Sequence, residues 1–256
     1  MKIASWNVNS LNARMGHLAD WLRAFEPDVV ALQETKVEDQ RFPRLEIEDL
    51  GYECVFIGQK SYNGVAILSR TGLSEVTSSI PELDDPLHRR VIAATVNGVR
   101  IVDVYVVNGQ ALGTDKFAFK LAWLSKLRAW LRSELERYPA LVVLGDFNIA
   151  PEDRDVYDPA AWAGQILCSS EERSELAQIQ ALGLYDSLRL RETAGGLYSW
   201  WDYRQGAFQR NSGLRIDLAL VSSALRERVR AAGIDTSTRG WDHPSDHAPV
   251  WLELAT

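Results

Sequence analysis

The sequence is short of the residues that define several whole classes of protein. Its only cysteines, Cys54 and Cys168, lie far apart and outside any metal-ligand spacing. That excludes a disulfide framework and a thiolate zinc site, and both read as reduced core thiols of a cytosolic protein. No run approaches the ~18 consecutive apolar residues that a membrane span requires. Met1-Lys2 leads straight into Ile3-Ala4-Ser5-Trp6, without a basic leader, an apolar core or a cleavage site, so a cytoplasmic protein with no membrane partner is expected. Low-complexity tracts, like-charge blocks and Pro/Gly-rich linkers are missing too, so 1–256 reads as a single domain. Positive charge is in deficit: 28 Lys and Arg stand against 35 Asp and Glu, a net −7. Such a balance argues against holding nucleic acid by bulk electrostatics. It leaves room for carboxylates that bind a divalent cation, which then attracts phosphate locally.

What is present is the balance of a globular chain, 46% hydrophobic and 25% charged. Short apolar runs predict strands at Lys2–Val8, Asp28–Leu32, Glu53–Ile57, Gly64–Leu68, Val91–Val96, Arg100–Val107, Ala140–Leu144, Ile216–Val221 and Ala248–Leu254. Asn97-Gly98 between two of them signals a type I′ hairpin, so some pairing is antiparallel. Helical spacing lies between the strands. Leu18, Trp21, Leu22 and Phe25 share a face that Pro27 ends; Phe117, Leu121, Leu124, Leu127, Trp130 and Leu131 form a longer stripe; Leu176, Ile179 and Leu182 stop at Gly183. The pattern indicates sheets covered by helices, with these stripes as core.

Polar residues recur where the apolar runs end. Asn7 and Asn9 follow the first strand; Gln33 and Glu34 follow the second; Asn108 follows a run interrupted by Asp103 and Tyr105. Asp146 and Asn148 follow Leu141–Leu144, Asp217 opens a strand, and Asp246-His247 precedes the last one. Any one of these, taken alone, is usually a turn or a helix cap. Asp217 is harder to dismiss, because a carboxylate in an apolar strand needs a partner. If the strand ends meet, they form a pocket with several acids, one imidazole and no nucleophilic Cys or Ser. That composition suits metal-assisted hydrolysis of a phosphate ester. Hard oxygen donors favour Mg²⁺ or Mn²⁺.

At these residues the chain resembles the exonuclease III/abasic (AP) endonuclease branch of the endonuclease/exonuclease/phosphatase superfamily. The likeness is carried by WNVNSLNAR (Trp6–Arg14), PDVVALQETK (Pro27–Lys36), YNGVAILSR (Tyr62–Arg70), LGDFNIAPED (Leu144–Asp153), YSWWDYR (Tyr198–Arg204), GLRIDL (Gly213–Leu218) and PSDHAPV (Pro244–Val250). The Trp200–Arg204 and Gly213–Leu218 elements are specific to that branch. The resemblance implies an α/β fold, a four-layer α/β sandwich of two packed mixed sheets flanked by helices. It also implies a magnesium-dependent DNA-repair phosphodiesterase that cuts 5′ to abasic sites and has 3′–5′ exonuclease and 3′-phosphatase activity on duplex DNA. Glu34 becomes the principal metal ligand with Asn7 beside it, and Asp146, Asn148 and Asp246 are placed around the same ion. Asp146 positions or deprotonates water, Asn148 holds the phosphate, His247 donates to a non-bridging oxygen and Asp217 orients the imidazole. Asp246 assists at metal or water, and Tyr105 contacts the phosphate or assists the leaving oxygen.

For DNA contacts the same likeness singles out Asn108, Arg90, Lys116, Arg204 and Arg215, with Trp200, Trp201 and Leu214 walling a pocket for a base-free sugar. Three positions depart from it: Val107 replaces a proline, Asn12 an arginine and Trp201 a phenylalanine. They bear on the ratio of exonuclease to endonuclease action. The expected partner is duplex DNA with abasic sites or blocked 3′ ends, and a monomer is the default. The alternatives are a non-catalytic binding paralogue of the same fold or a phosphatase of the superfamily.

Overall fold

The computed structural model describes residues 1–78, 80, 83 and 89–255. In chain order the elements are β1 (Lys2–Asn7), α1 (Leu11–Phe25), β2 (Val29–Gln33), α2 (Arg44–Asp49), β3 (Glu53–Ile57), β4 (Val65–Ser69), β5 (Ser74–Thr77), β6 (Val91–Val96) and β7 (Val99–Tyr105). They continue with α3 (Asp115–Arg137), β8 (Leu141–Asp146), α4 (Pro159–Trp162), α5 (Ser170–Gln180), β9 (Leu184–Asp186), β10 (Asp217–Ser222), β11 (Val229–Ile234) and β12 (Val250–Leu254).

Two six-stranded mixed sheets result, ordered β11-β12-β1-β2-β4-β3 and β5-β6-β7-β8-β10-β9. Each holds one parallel pair, β1 with β2 and β7 with β8, spanned by α1 and α3 respectively. Asn97 and Gly98 have φ of +49° and +76° between β6 and β7, the two positive values of the expected hairpin turn.

Alternation along the strands decides the layering. From β1 and β2, Ile3, Val29 and Ala31 face the other sheet, meeting Ile101, Val142 and Leu144 in a buried middle layer. The intervening Trp6, Val30 and Leu32 pack outward against Leu18, Trp21 and Leu22 of α1. On the far side Val102, Val104, Val143 and Leu220 lie under Trp123, Leu124, Leu127 and Leu131 of α3 and Ile179 of α5. The four-layer α/β sandwich is therefore the observed fold. The helices begin and end where local chemistry dictates. Thr114 accepts from the Phe117 amide at 3.2 Å to start α3, and Ser169 with Glu172 forms a capping box on α5. Cys54 and Cys168 are buried and free, their thiols pushed up to about 11 by burial. Among the described residues no helix is long and apolar enough to cross a membrane.

Three strands, β5, β9 and β11, have no counterpart among the predicted apolar runs. β5 is largely exposed, β9 has only three residues, and β11 carries Arg230 and Gly233 and is mostly half-buried. All three are sheet edges that, being short, exposed or interrupted by charge and glycine, offer no continuous apolar run; the fourth edge, β3, does offer one and was predicted.

Gly145, near the end of β8, has φ +145°, and a Cβ there would sit 1.9 Å from the Val104 carbonyl oxygen on the paired strand. Gly145→Ala should cost about 3 kcal/mol or more, the scale of a backbone clash with no soft neighbour to yield. Urea denaturation measures it, and an alanine variant as stable as the parent would show that the strand can open at this point.

Candidate active site

The topology brings the polar strand ends to one rim. β1 and β2 run parallel and finish together, while β12 runs antiparallel to β1 and so starts at the same edge. In the other sheet β7 and β8 finish together and the antiparallel β10 begins beside them. Register is specific: Tyr105 pairs with Asp146, and Asp146 with Asp217, so three functional side chains stand abreast on neighbouring strands.

Hydrogen bonds then join the two sheets. The Asn7 amide donates to Glu34 Oε1 at 2.8 Å and to Asp146 Oδ2 at 3.0 Å. His247 Nδ1 lies 2.8 Å from Asp217 Oδ2, and its Nε2 lies 3.7 Å from Asp146 Oδ2. Ligand atoms of Glu34, Asp146 and His247 fall within 4.8 Å of one another. Asp217 also accepts from Ser199 Oγ at 2.6 Å. Lys36 Nζ reaches Glu34 Oε2 at 2.9 Å and Asn9 Oδ1 at 2.6 Å. Glu34 and Asn148 have φ of +51° and +50°, left-handed values that L side chains rarely adopt. They persist because the surroundings hold them: Thr35 and Lys36 amides bond to Gly64 and Asn63 carbonyls, and the Asn148 amide donates to Asp146 Oδ1.

Burial and crowding of like charge control protonation. Asp146 is pushed up to about 7, chiefly by burial and further by Asp217 and Glu34, against the pull of His247. Burial works against a charged His247, yet Asp217 and Asp146 outweigh it and raise the imidazole to about 10. The ring is therefore cationic at neutral pH and its Nε2 is a hydrogen-bond donor. Tyr105 is raised well above its ordinary value by burial and then by Glu34 and Asp146, so it stays a phenol that can donate. Arg90 lies over its ring at 4.5 Å and donates to its carbonyl at 3.2 Å.

Other expected residues sit close by. Asn108 donates to Asn148 Oδ1 at 3.1 Å, and Asn148 Nδ2 donates to the Val106 carbonyl at 3.0 Å. Trp200 is half-buried, beside the cluster, in a backbone bridge with His247.

Several expectations need correction. Asp246 stands outside the close cluster: its oxygens accept from Asn9 Nδ2 at 2.9 Å and Trp200 Nε1 at 3.0 Å. Through these bonds it braces the loop bearing His247. Asn7 presents its amide nitrogen to the carboxylates while its oxygen accepts from the Asn9 amide, so it separates the acids and ligates only after an amide flip. Arg215 is 1% exposed and paired with Asp155 at 2.7 Å and Asp186 at 2.8 Å; it is a buried strut and cannot touch DNA. Trp201 and Leu214 are 1% and 0% exposed, packed behind the surface and not walling an open pocket. Lys116 and Arg204 are exposed and not hydrogen-bonded to the cluster.

Sequence reasoning missed Lys36, Ser199, Lys120 and Arg239. Lys36 was signalled by its place two residues after Glu34. Lys120 stands three residues after Phe117 and four before Leu124, a cation on the apolar face of α3. Arg239 donates to the Ser245 carbonyl from among Trp201, Tyr203 and Phe208, with its guanidinium 5.3–6.0 Å from their rings, a contact no spacing in sequence reveals.

Residues 4–247 match the model of the Endonuclease/Exonuclease/phosphatase family. The exodeoxyribonuclease III of Haemophilus influenzae is 35% identical over 266 residues, covering 99% of this chain and 100% of the relative. A solved 3′ phosphatase from Neisseria, bound to a product DNA hairpin, has TM-score 0.98 and 48% identity with 100% of both chains covered. An AP endonuclease from Archaeoglobus fulgidus has TM-score 0.93 and 34% identity, again over 100% of both chains.

The charge cluster predicts how the metal-free protein responds to pH. A folded-state value near 10 against an ordinary 6.5 means that His247 contributes stability fully below pH ~6.5 and loses it as pH rises through ~10. Asp146, raised from 3.8 to about 7, acts with the same sign in the lower window. Melting temperature in EDTA should fall steadily from pH 6.5 to 10, and Asp217→Asn should flatten that slope. A parent protein whose melting point is level over this range would contradict the assigned charge on His247.

Proposed function

The chain belongs to the endonuclease/exonuclease/phosphatase family, and from that premise we propose how its residues work. It is a DNA-repair phosphodiesterase that hydrolyses the backbone 5′ to abasic sites and has 3′–5′ exodeoxyribonuclease and 3′-phosphatase activity on duplex DNA. The observation that carries this reading is His247 held between Asp217 and Asp146 beside Glu34, a constellation with a donor for a phosphate and acceptors for a cation and a proton.

The family depends on divalent metal, and the donor set here fits one: two carboxylates crowd one buried spot, and hard oxygens suit magnesium or manganese. We assign Glu34 and Asp146 to hold it. When bound, the ion supplies Lewis-acid stabilisation of negative charge on the phosphate.

The remaining chemistry belongs to side chains. His247 Nε2–H donates to a non-bridging phosphate oxygen, while Asp217 fixes the tautomer and orientation through Nδ1. Asp146, the carboxylate that lies 3.7 Å from His247 Nε2 and accepts from Asn7, positions the attacking water or accepts its proton. Tyr105 donates its phenolic proton toward the phosphate or the leaving oxygen. Asn148 spends one amide N–H on Val106 and keeps the second for phosphate. Arg90 and Lys36 bring positive charge to the rim of a chain that is acidic overall. With Asn108 and the exposed Lys116 and Arg204, they are the residues we assign to the DNA strand. The half-buried Trp200 is assigned to the sugar beside the cluster, where a deoxyribose lacking its base needs less room than a paired nucleotide. The protein acts as one catalytic domain over 1–256, as a monomer in the cytoplasm.

A duplex with one tetrahydrofuran abasic analogue, a blunt duplex and a 3′-phosphate end test the reading side by side. All three should be processed with Mg²⁺ or Mn²⁺, and EDTA should stop each reversibly. Asp146→Ala and His247→Ala should each lower kcat by about two orders of magnitude or more while the protein stays folded. Full turnover by His247→Ala sinks the assigned role, and a wild type inactive on all three substrates sinks the function.

A further inference from the structure

We propose that Lys120 is a positioning residue: its buried ammonium, anchored by Glu172, fixes the main chain of Asn108 and Asn148 and so sets where their side chains meet the phosphate. The inference rests on the function proposed above, since it deepens the part played by those two asparagines.

Lys120 is 0% exposed, with its ammonium beneath the two loops that leave β7 and β8. Taking an ammonium out of water costs several kcal/mol unless every donor is used and an anion is at hand. Both conditions hold. Nζ donates to the Asn148 carbonyl at 2.7 Å, to the Asn108 carbonyl at 3.1 Å and to Glu172 Oε1 in a short contact, so its three N–H groups are all spent. Glu172 is itself fixed. It accepts from the Leu167 amide at 3.1 Å, the Ser169 amide at 3.1 Å and Ser169 Oγ at 2.5 Å, which ties it to the start of α5.

The held carbonyls are where restraint is needed. Asn148 sits at φ +50°, a left-handed value that asparagine tolerates, and the bond from Lys120 to its carbonyl fixes the main chain there. Asn108 opens a loop whose next residue, Gly109, has φ +88° and lies directly on the lysine stem. A Cβ on Gly109 would come within 3.0 Å of Lys120 Cδ. Because Asn108 donates to Asn148 Oδ1, one ammonium sets both backbones and thereby the bond between the two side chains.

Stability alone does not explain such a pair. An apolar replacement of similar volume for a buried ion pair is commonly neutral or stabilising. What only a lysine offers is three tetrahedral donors aimed at two carbonyls and a carboxylate, a geometry that the planar guanidinium of arginine cannot copy.

Two variants of the full chain, assayed on the abasic duplex beside wild type, test the idea. Lys120→Met/Glu172→Gln removes both charges and keeps an acceptor for the Ser169 amide. It should melt below wild type, because the Leu167 amide and the two carbonyls lose partners, while kcat measured well below that melting point falls about ten- to hundredfold, as a displacement of order 1 Å in a reacting group produces. KM and the magnesium dependence should stay near wild type, a split that general loosening of the fold would not give. Lys120→Arg retains the ion pair but cannot serve both carbonyls, and should lose about tenfold in kcat; it decides the matter if the double variant does not fold. Either folded variant turning over within twofold of wild type overturns the positioning role alone. An inactive wild type overturns the functional reading, and this inference with it.

Discussion

The imidazolium of His247 between two buried carboxylates is the interaction on which the rest of the site depends. Asp146 and Asp217 are paired across β8 and β10, so their charges are crowded away from water on neighbouring strands. Burial first, and then repulsion from Asp217 and Glu34, make Asp146 hold its proton more tightly. His247 relieves part of that repulsion by bonding to Asp217 and facing Asp146. The same relief keeps the ring charged and its Nε2 free to donate. Charge balance and the availability of a donor at Nε2 are thus one arrangement.

This arrangement needs ends from both sheets, and the connectivity supplies them. Helical crossovers return β2 parallel to β1 and β8 parallel to β7, so the C-terminal ends of each pair finish at one rim. Antiparallel β10 and β12 begin there and bring Asp217 and His247. Side chains such as Ile3, Ala31, Val142 and Leu144 fill the space between the sheets. At the rim end the same inward positions become polar: Ser5 bonds to Gln33, and Gln33 donates to Asp103 at 2.7 Å. Burial pushes the Asp103 carboxyl well above its ordinary range, so this floor adds little negative charge beneath the catalytic acids.

A second theme is the use of cations inside the molecule. Arg215 joins Asp155 and Asp186, Lys120 joins Glu172, and Arg239 lies among three aromatic rings while holding the Ser245 carbonyl. Part of an already small basic complement is therefore spent on fixing loops, and the protein remains acidic overall. Under the proposed function, affinity for nucleic acid is local, drawn from cations such as Arg90 and Lys36 that border the acidic cluster. An enzyme built this way engages a particular point on the backbone more readily than a long stretch of duplex.

The sequence by itself determined the layered α/β fold, the Asn97-Gly98 hairpin and the identity of Glu34, Asp146, Asp217 and His247 as the polar centre. These features rest on local periodicity, turn chemistry and residue types that are costly to bury without purpose. The edge strands β5, β9 and β11 were not legible, because β5 is exposed, β9 has three residues and β11 is broken by Arg230 and Gly233, so none forms an apolar run as the edge strand β3 does. The direction in which Arg215, Trp201, Leu214 and Asp246 point was decided only by tertiary structure. An arginine looks the same in sequence whether solvent, DNA or two aspartates receive it, and only folding brought Asp155 and Asp186 to Arg215. Lys120 reached Asn108, Asn148 and Glu172 for the same reason: its partners are 12, 28 and 52 residues away along the chain, and no local pattern encodes that convergence.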